Sequence, residues 1–253
     1  MRSKLLAIIA CCCLLSAQSQ NRQLLISQNN GSVPIALVGT PVAIGTGATG
    51  PTTSGTMNTT GATMLAACVA SNTTVAGSTV TDSQGNDWIL LTEYGAGGVA
   101  NGGSAQLFYA YKKGAAALST SSTHTITVTS IFGYGMFTAY SGTLTYPTDP
   151  LDSGKVNGSA NGGLVASIAT GSITPSASGE LIASCFGGYT GNETFTVDNS
   201  LTIDLHSALV GGTNYGGAFA HRIYNSASAI NPTWSLGSGT DSINAGIAAF
   251  KHP

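Results

Sequence analysis

Short apolar runs alternate with clusters of Gly, Asn, Asp and Ser along most of the chain, and no segment keeps an i, i+3, i+4, i+7 stripe for three turns. The pattern predicts strands over 63–70, 78–82, 88–93, 105–112, 124–130 and 135–140. A second set follows over 164–170, 180–186, 194–197, 201–206, 217–224, 231–235 and 243–250. From His124 to Thr129, polar positions alternate with apolar or β-branched ones, as on a half-buried strand. Met64 to Ala70 is apolar at both alternations, so this strand is expected to be central and covered on two faces. The fold class this predicts is all-β and antiparallel, with strand spacings typical of sandwiches or barrels.

The two sets of strands echo one another. Met64-Leu65-Ala66-Ala67-Cys68 returns loosely as Leu181-Ile182-Ala183-Ser184-Cys185. Val80-Thr81-Asp82-Ser83 has a counterpart in Thr196-Val197-Asp198-Asn199, and Gln106 to Tyr111 one in Ala218 to Ile223. Met136 to Tyr140 matches Gly246 to Phe250. These echoes suggest an internally duplicated four-strand unit, set against the chance likeness of Gly- and Ala-rich strands.

The amino terminus reads differently. Arg2 and Lys4 precede an apolar stretch from Leu5 to Leu15, followed by the small residues Ala17 and Ser19. This is the form of a secretory signal peptide over 1–19, and it predicts a secreted or cell-surface protein. Residues 20–60 are polar and punctuated, apart from an apolar island at 33–38, and read as a loose arm or edge strand. The island could pair within its own sheet or add a strand to a neighbouring copy. Residues 61–253 then form the sandwich domain. Removing the leader takes away three of five cysteines and leaves Cys68 and Cys185, a candidate disulfide in an oxidising compartment.

Composition narrows the function. Only 7% of residues are charged, against roughly 25% in typical soluble domains. Eight Lys and Arg against ten Asp and Glu supply no basic surface, so nucleic-acid binding is excluded. No apolar run after the leader reaches the length of a transmembrane helix.

Few residues suggest chemistry. Val80-Thr81-Asp82-Ser83-Gln84-Gly85-Asn86-Asp87-Trp88 reads as a tight hairpin whose Asp, Gly and Asn supply turn conformations. Asp82, Asn86 and Asp87 could instead offer oxygens to a Ca²⁺ ion, but the spacing is not that of an EF-hand loop. There is no G-x-S-x-G elbow. His206 follows Asp204 by two residues, which on a regular strand sets both on one face; this could be an oriented base or half a metal site, but polar alternation toward solvent is the reading preferred. Glu93, Glu180 and Glu193 are available as acids, with nothing to pair them. The glycines from Gly95 to Gly103 join two strands and open no helix, so they are not a phosphate loop. The expectation is a non-catalytic protein with no cofactor and no metal site. Trp88, Trp234 and Tyr94 are the candidates for stacking on sugar rings, against the competing reading that the tryptophans fill the core.

The V-T-D-S-x-G-N-x-W hairpin resembles one in a group of uncharacterised bacterial secreted β-sandwich domains. So do Leu107-Phe108-Tyr109-Ala110, Phe137-Thr138-Ala139-Tyr140-Ser141-Gly142, Asn231-Pro232-Thr233-Trp234 and Ala248-Ala249-Phe250-Lys251. The resemblance spans roughly residues 60 to 251, and it implies a jelly-roll-like sandwich on exported or surface proteins with no catalytic residue to carry over. The function expected is a secreted structural or surface-display sandwich, self-assembling or adhesive. The alternative is a carbohydrate-binding module. Partners are then copies of itself or surface glycans.

Overall fold

The computed structural model describes residues 33–44, 49–71, 78–95, 104–131, 133–188, 194–207 and 216–253, and Pro34–Pro253 forms one compact unit. The described residues are strands and turns with no helix, so none is long and apolar enough to cross a membrane. The first half supplies β1 (Ala36–Leu37), β2 (Val42–Ile44), β3 (Thr49–Thr53), β4 (Met64–Ser71), β5 (Thr79–Asp82) and β6 (Ile89–Gly95). It continues with β7 (Ser104–Ala110), β8 (Lys112–Lys113), β9 (Ala116–Ala117), β10 (Ile126–Ile131) and β11 (Gly133–Ser141). The second supplies β12 (Leu151–Val165), β13 (Ser167–Ala169), β14 (Glu180–Gly188) and β15 (Phe195–Val197). It ends with β16 (Thr202–Ser207), β17 (Gly216–Tyr224), β18 (Thr233–Leu236) and β19 (Asp241–Phe250).

Both halves have the same topology. In the first, the large sheet runs β1-β11-β4-β7-β6 with β2 also on β11, and the small sheet runs β3-β10-β5. In the second, the large sheet runs β12-β19-β14-β17-β16 and the small sheet β13-β18-β15. All the strand pairs are antiparallel. The chain is an all-β sandwich, as the periodicity predicts, but the repeated unit has eight strand positions in two sheets instead of four strands. The echoes hold in register for three of the four matches: Cys68 lies between Leu107 and Met136, and Cys185 between Phe219 and Gly246. The hairpin echo is one residue out, because Val80 is buried while Thr196 is exposed and Phe195 takes the inward place.

Period-2 alternation explains how the layers stack. Met64, Ala66 and Cys68 of β4 face the other large sheet, where they meet Leu181, Ala183 and Cys185 of β14. Leu65, Ala67 and Val69 point the opposite way, onto Val80, Ile126 and Val128 of the first small sheet. In the second half, Ile182, Phe186, Ile247 and Ala249 face Ile168, Phe195 and Trp234. The order of layers is therefore small sheet, large sheet, large sheet, small sheet, with three apolar seams. β4 and β14 are buried throughout, as expected of central strands covered on both faces.

Two glycines allow the large sheets to approach closely across the middle seam. A Cβ on Gly187 would lie 2.6 Å from Ser104 O, and one on Gly217 would lie 2.9 Å from Ala70 Cβ.

Residues 36–53 supply the edge strands β1, β2 and β3, so the domain boundary expected at residue 61 falls inside the compact unit. The apolar island pairs within its own sheet: Ala36 faces Ser141 and Leu37 faces Tyr140. The long β12 is absent from the sequence reading before residue 164. Its Lys-Val-Asn-Gly-Ser-Ala-Asn-Gly run carries little apolar signal, and pairing with β19 makes it a strand at the sheet edge.

Candidate functional site

The hairpin between β5 and β6 is built around one carboxylate. Asp82 Oδ1 accepts the backbone N–H of Gln84 at 2.8 Å and of Asn86 at 3.3 Å. Its Oδ2 accepts Trp88 Nε1–H at 2.7 Å and Asn86 Nδ2–H at 3.1 Å. Asn86 also exchanges two bonds with the backbone of Ser119, and Gly85 takes the left-handed φ of +69° that the turn needs. His124 Nε2 stands 3.3 Å from Asp82 Oδ1, and its Nδ1 pairs with Thr59 Oγ1 at 2.9 Å. Burial alone would raise the Asp82 pKa, but the bonds from His124, Trp88 and Asn86 outweigh it and lower it to about 2. Thr59, His124 and Asp82 have the chemical order of a hydrolytic triad. His124 is fully buried, so no substrate reaches it, and the cluster acts as a latch between the hairpin and the loop at 119–124.

The second polar constellation lies at the middle seam. β16 and β17 pair Ile203 with Ala220 and then Leu205 with Phe219, which leaves Asp204 as the extra residue of a β-bulge. β6 has the same irregularity at Leu91, between Leu90–Phe108 and Thr92–Leu107. Leu91 packs on the seam. Asp204, at the equivalent position, accepts Tyr140 O–H at 3.2 Å and binds His221 Nδ1 at 2.7 Å. Its side chain is nearly buried, and His221 is 18% exposed. Burial and the Asp204 charge push the Tyr140 phenol well above its usual pKa.

At the opposite end of the seam, Tyr109 occupies the position of His221 and donates its phenol proton to Asp149 at 2.9 Å. Its pKa is likewise raised, first by burial and then by that carboxylate. The ring pairs correspond as well: Tyr140–His221 and Tyr109–Phe250 both have centroids 5.4 Å apart.

The Asp204–His221 pair fixes one imidazole nitrogen and leaves Nε2 for a proton or a ligand, the arrangement of an oriented base. Among the described residues, no hydroxyl or thiol is hydrogen-bonded to that nitrogen. No group of three His, Cys, Asp or Glu among them stands together to hold a metal ion.

The expected site residues scatter. Cys68 and Cys185 meet at the middle seam in a disulfide with Cα atoms 5.3 Å apart. Trp234 is fully buried, stacks on Phe186 at 5.4 Å and donates Nε1–H to Ser184 Oγ, so it cannot stack on a sugar. Trp88 is half-buried, edge-on to Phe137 at 6.2 Å, with its indole N–H on Asp82. Tyr94 pairs with Ala105 in the sheet, and its side chain lies outside the described residues, as does that of Glu93. Glu193 also lies outside them.

His206 does not share a face with Asp204. The bulge flips the alternation, so Ile203 packs on the outer seam and Leu205 on the middle one, while His206 rests against Phe195. Asp204 takes its histidine from the neighbouring strand instead, 17 residues on. No sequence signal marks that pairing, since a bulge has no fixed residue signature.

No protein-family model and no curated protein matches the chain. Among solved structures it is similar to an allantoicase at 10% identity and a TM-score of 0.11, with 87% of this chain and 73% of that one covered. A likeness this faint carries no argument.

Proposed function

We propose that this chain is an exported, non-catalytic β-sandwich protein that serves as a structural or surface-display element. The observation that carries the reading is the Cys68–Cys185 disulfide at the centre of the four layers. Such bonds persist in oxidising compartments, outside the reducing cytosol. The basic and apolar leader over 1–19 supports the same compartment.

The disposition of the polar groups also supports it. Asp82, Asp149 and Asp204 all accept hydrogen bonds from the chain itself, which ties them into the frame and away from a substrate. The glycan-binding alternative loses a stacking residue, because Trp234 belongs to the core. Copies of the chain are the partners we favour: Leu90 on β6 and Leu164 on β12 are exposed on edge strands of the two large sheets, and few charges guard those edges.

Negative-stain electron microscopy of the exported protein, purified without denaturant, tests the assembly role. Regular filaments or sheets support it. Dispersed single particles at all concentrations would contradict it.

A further inference from the structure

The start of β12, the start of β14 and the end of β19 converge at one corner of the second sandwich. Phe250 pairs with both Leu151 and Leu181, and Lys251 N–H donates to Pro150 O at 2.7 Å. This brings together the side chains of Asp152, Glu180 and Lys251. Asp152 is buried: its Oδ2 accepts the Ser176 backbone N–H and its Oδ1 the Ser176 hydroxyl, both at 2.8 Å. Lys251 Nζ stands 3.4 Å from Asp152 Oδ1, and its side chain is 37% exposed.

Glu180 completes the group. It is fully buried; Oε1 accepts Ala177 N–H at 2.9 Å, and Oε2 has no hydrogen-bond partner. Burial, followed by the neighbouring Asp152 charge, raises its pKa, so it carries a proton more readily than an ordinary glutamate. Burial would raise the Asp152 pKa too, but the Ser176 bonds and Lys251 outweigh it and hold it down. The corner thus packs together an amine, a carboxylate and a second carboxyl group that takes up a proton more readily than usual.

We propose that Lys251 and Asp152 join in an intramolecular isopeptide bond, with Glu180 as the residue that moves the protons. Glu180 gives its proton to the Asp152 carboxylate, and the resulting Glu180 carboxylate takes one from the Lys251 ammonium. The freed Nζ lone pair attacks Asp152 Cγ and forms the N–C bond. The oxygen that stays is held by the fixed Ser176 N–H, as in an oxyanion site. Glu180 then returns its proton to the other oxygen, Nζ releases a second one to it, and the C–O bond breaks with loss of water. The ammonium and the carboxylate become an amide and one water, Glu180 ends with the proton it began with, and no co-reactant is needed. Strand pairing supplies the proximity, because contact on adjacent backbones gives two groups a high effective concentration.

The bond would fasten the polar edge strand β12 to the residue that follows its neighbour β19, and the inference stands independently of the proposed assembly role. The test is the intact mass of the full chain, reduced and denatured, beside Glu180→Gln and Lys251→Arg made in the same way. We expect the wild type to be lighter than its sequence by one water, both variants to keep full mass, and a digest to contain a branched peptide joining Asp152 and Lys251. Lys251→Arg retains the charge at a part-exposed position, so it keeps the comparison open if Glu180→Gln does not fold. A wild type at full mass, with Lys251 freely acetylated once denatured, overturns the proposal. So does a water loss that persists in Lys251→Arg.

Discussion

Cys68 and Cys185 hold the same position in the two halves of the chain, and a disulfide joins them. Each lies on the central strand of a large sheet, between one strand that leads to the β6 or β16 edge and one that leads to the β1 or β12 edge. Residues related by the repeat therefore meet at its axis. The contacts to either side repeat in the same way, with Tyr140 against His221 at one end and Phe250 against Tyr109 at the other.

The disulfide spans 117 residues of sequence, and a loop of that size restricts the unfolded chain strongly. Replacing both cysteines by Ala is expected to cost about 2–5 kcal/mol. Urea unfolding of oxidised wild type and the double variant measures it, and the variant should keep the strand signature in circular dichroism.

Gly187→Ala should be harmful although the residue is small. The new Cβ meets a backbone oxygen, Ser104 O, which cannot rotate away. A loss of about 1–3 kcal/mol is expected from overpacking. Thermal unfolding tests this against Gly55→Ala, where a Cβ would meet nothing.

Acid should loosen the hairpin latch. The Asp82 pKa is held at about 2, below the ordinary 3.8, so its stabilisation is present above the ordinary value and lost as pH falls through the folded one. That shift corresponds to about 2 kcal/mol. Stability followed from pH 5 to pH 2 should drop more steeply in wild type than in Asp82→Asn. The variant should also be weaker at pH 7, because its amide N–H₂ faces donors.

Much of this architecture is legible in the alternation of single strands. Met64 to Ala70 announces a strand covered on both faces, and the match of Cys68 with Cys185 announces the repeat. Period 2 carries that information because both faces of the strand are apolar. Elements shaped by pairing are not legible. β12 is a strand because β19 holds it, and Asp204 leaves the face of His206 because a bulge intervenes. Trp234 illustrates a third limit: a tryptophan on a strand reads the same whether it faces the core or a ligand.

Trp234→Phe and Trp88→Phe should differ accordingly. Trp234 fills the outer seam and bonds Ser184, which in turn donates to Gly246 O. Its loss leaves a cavity and an unmet partner at about 1–3 kcal/mol. Its fluorescence should resist iodide quenching more than that of half-buried Trp88. Chemical denaturation and quenching of the two single-tryptophan variants provide the comparison.

The most direct test is the thiol state of the chain recovered from outside the cytoplasm and alkylated without reductant. We expect neither Cys68 nor Cys185 to be labelled, and both to be labelled once reductant is added under denaturing conditions. A chain retained in the cytoplasm with both thiols labelled at the outset would contradict an exported, disulfide-joined scaffold.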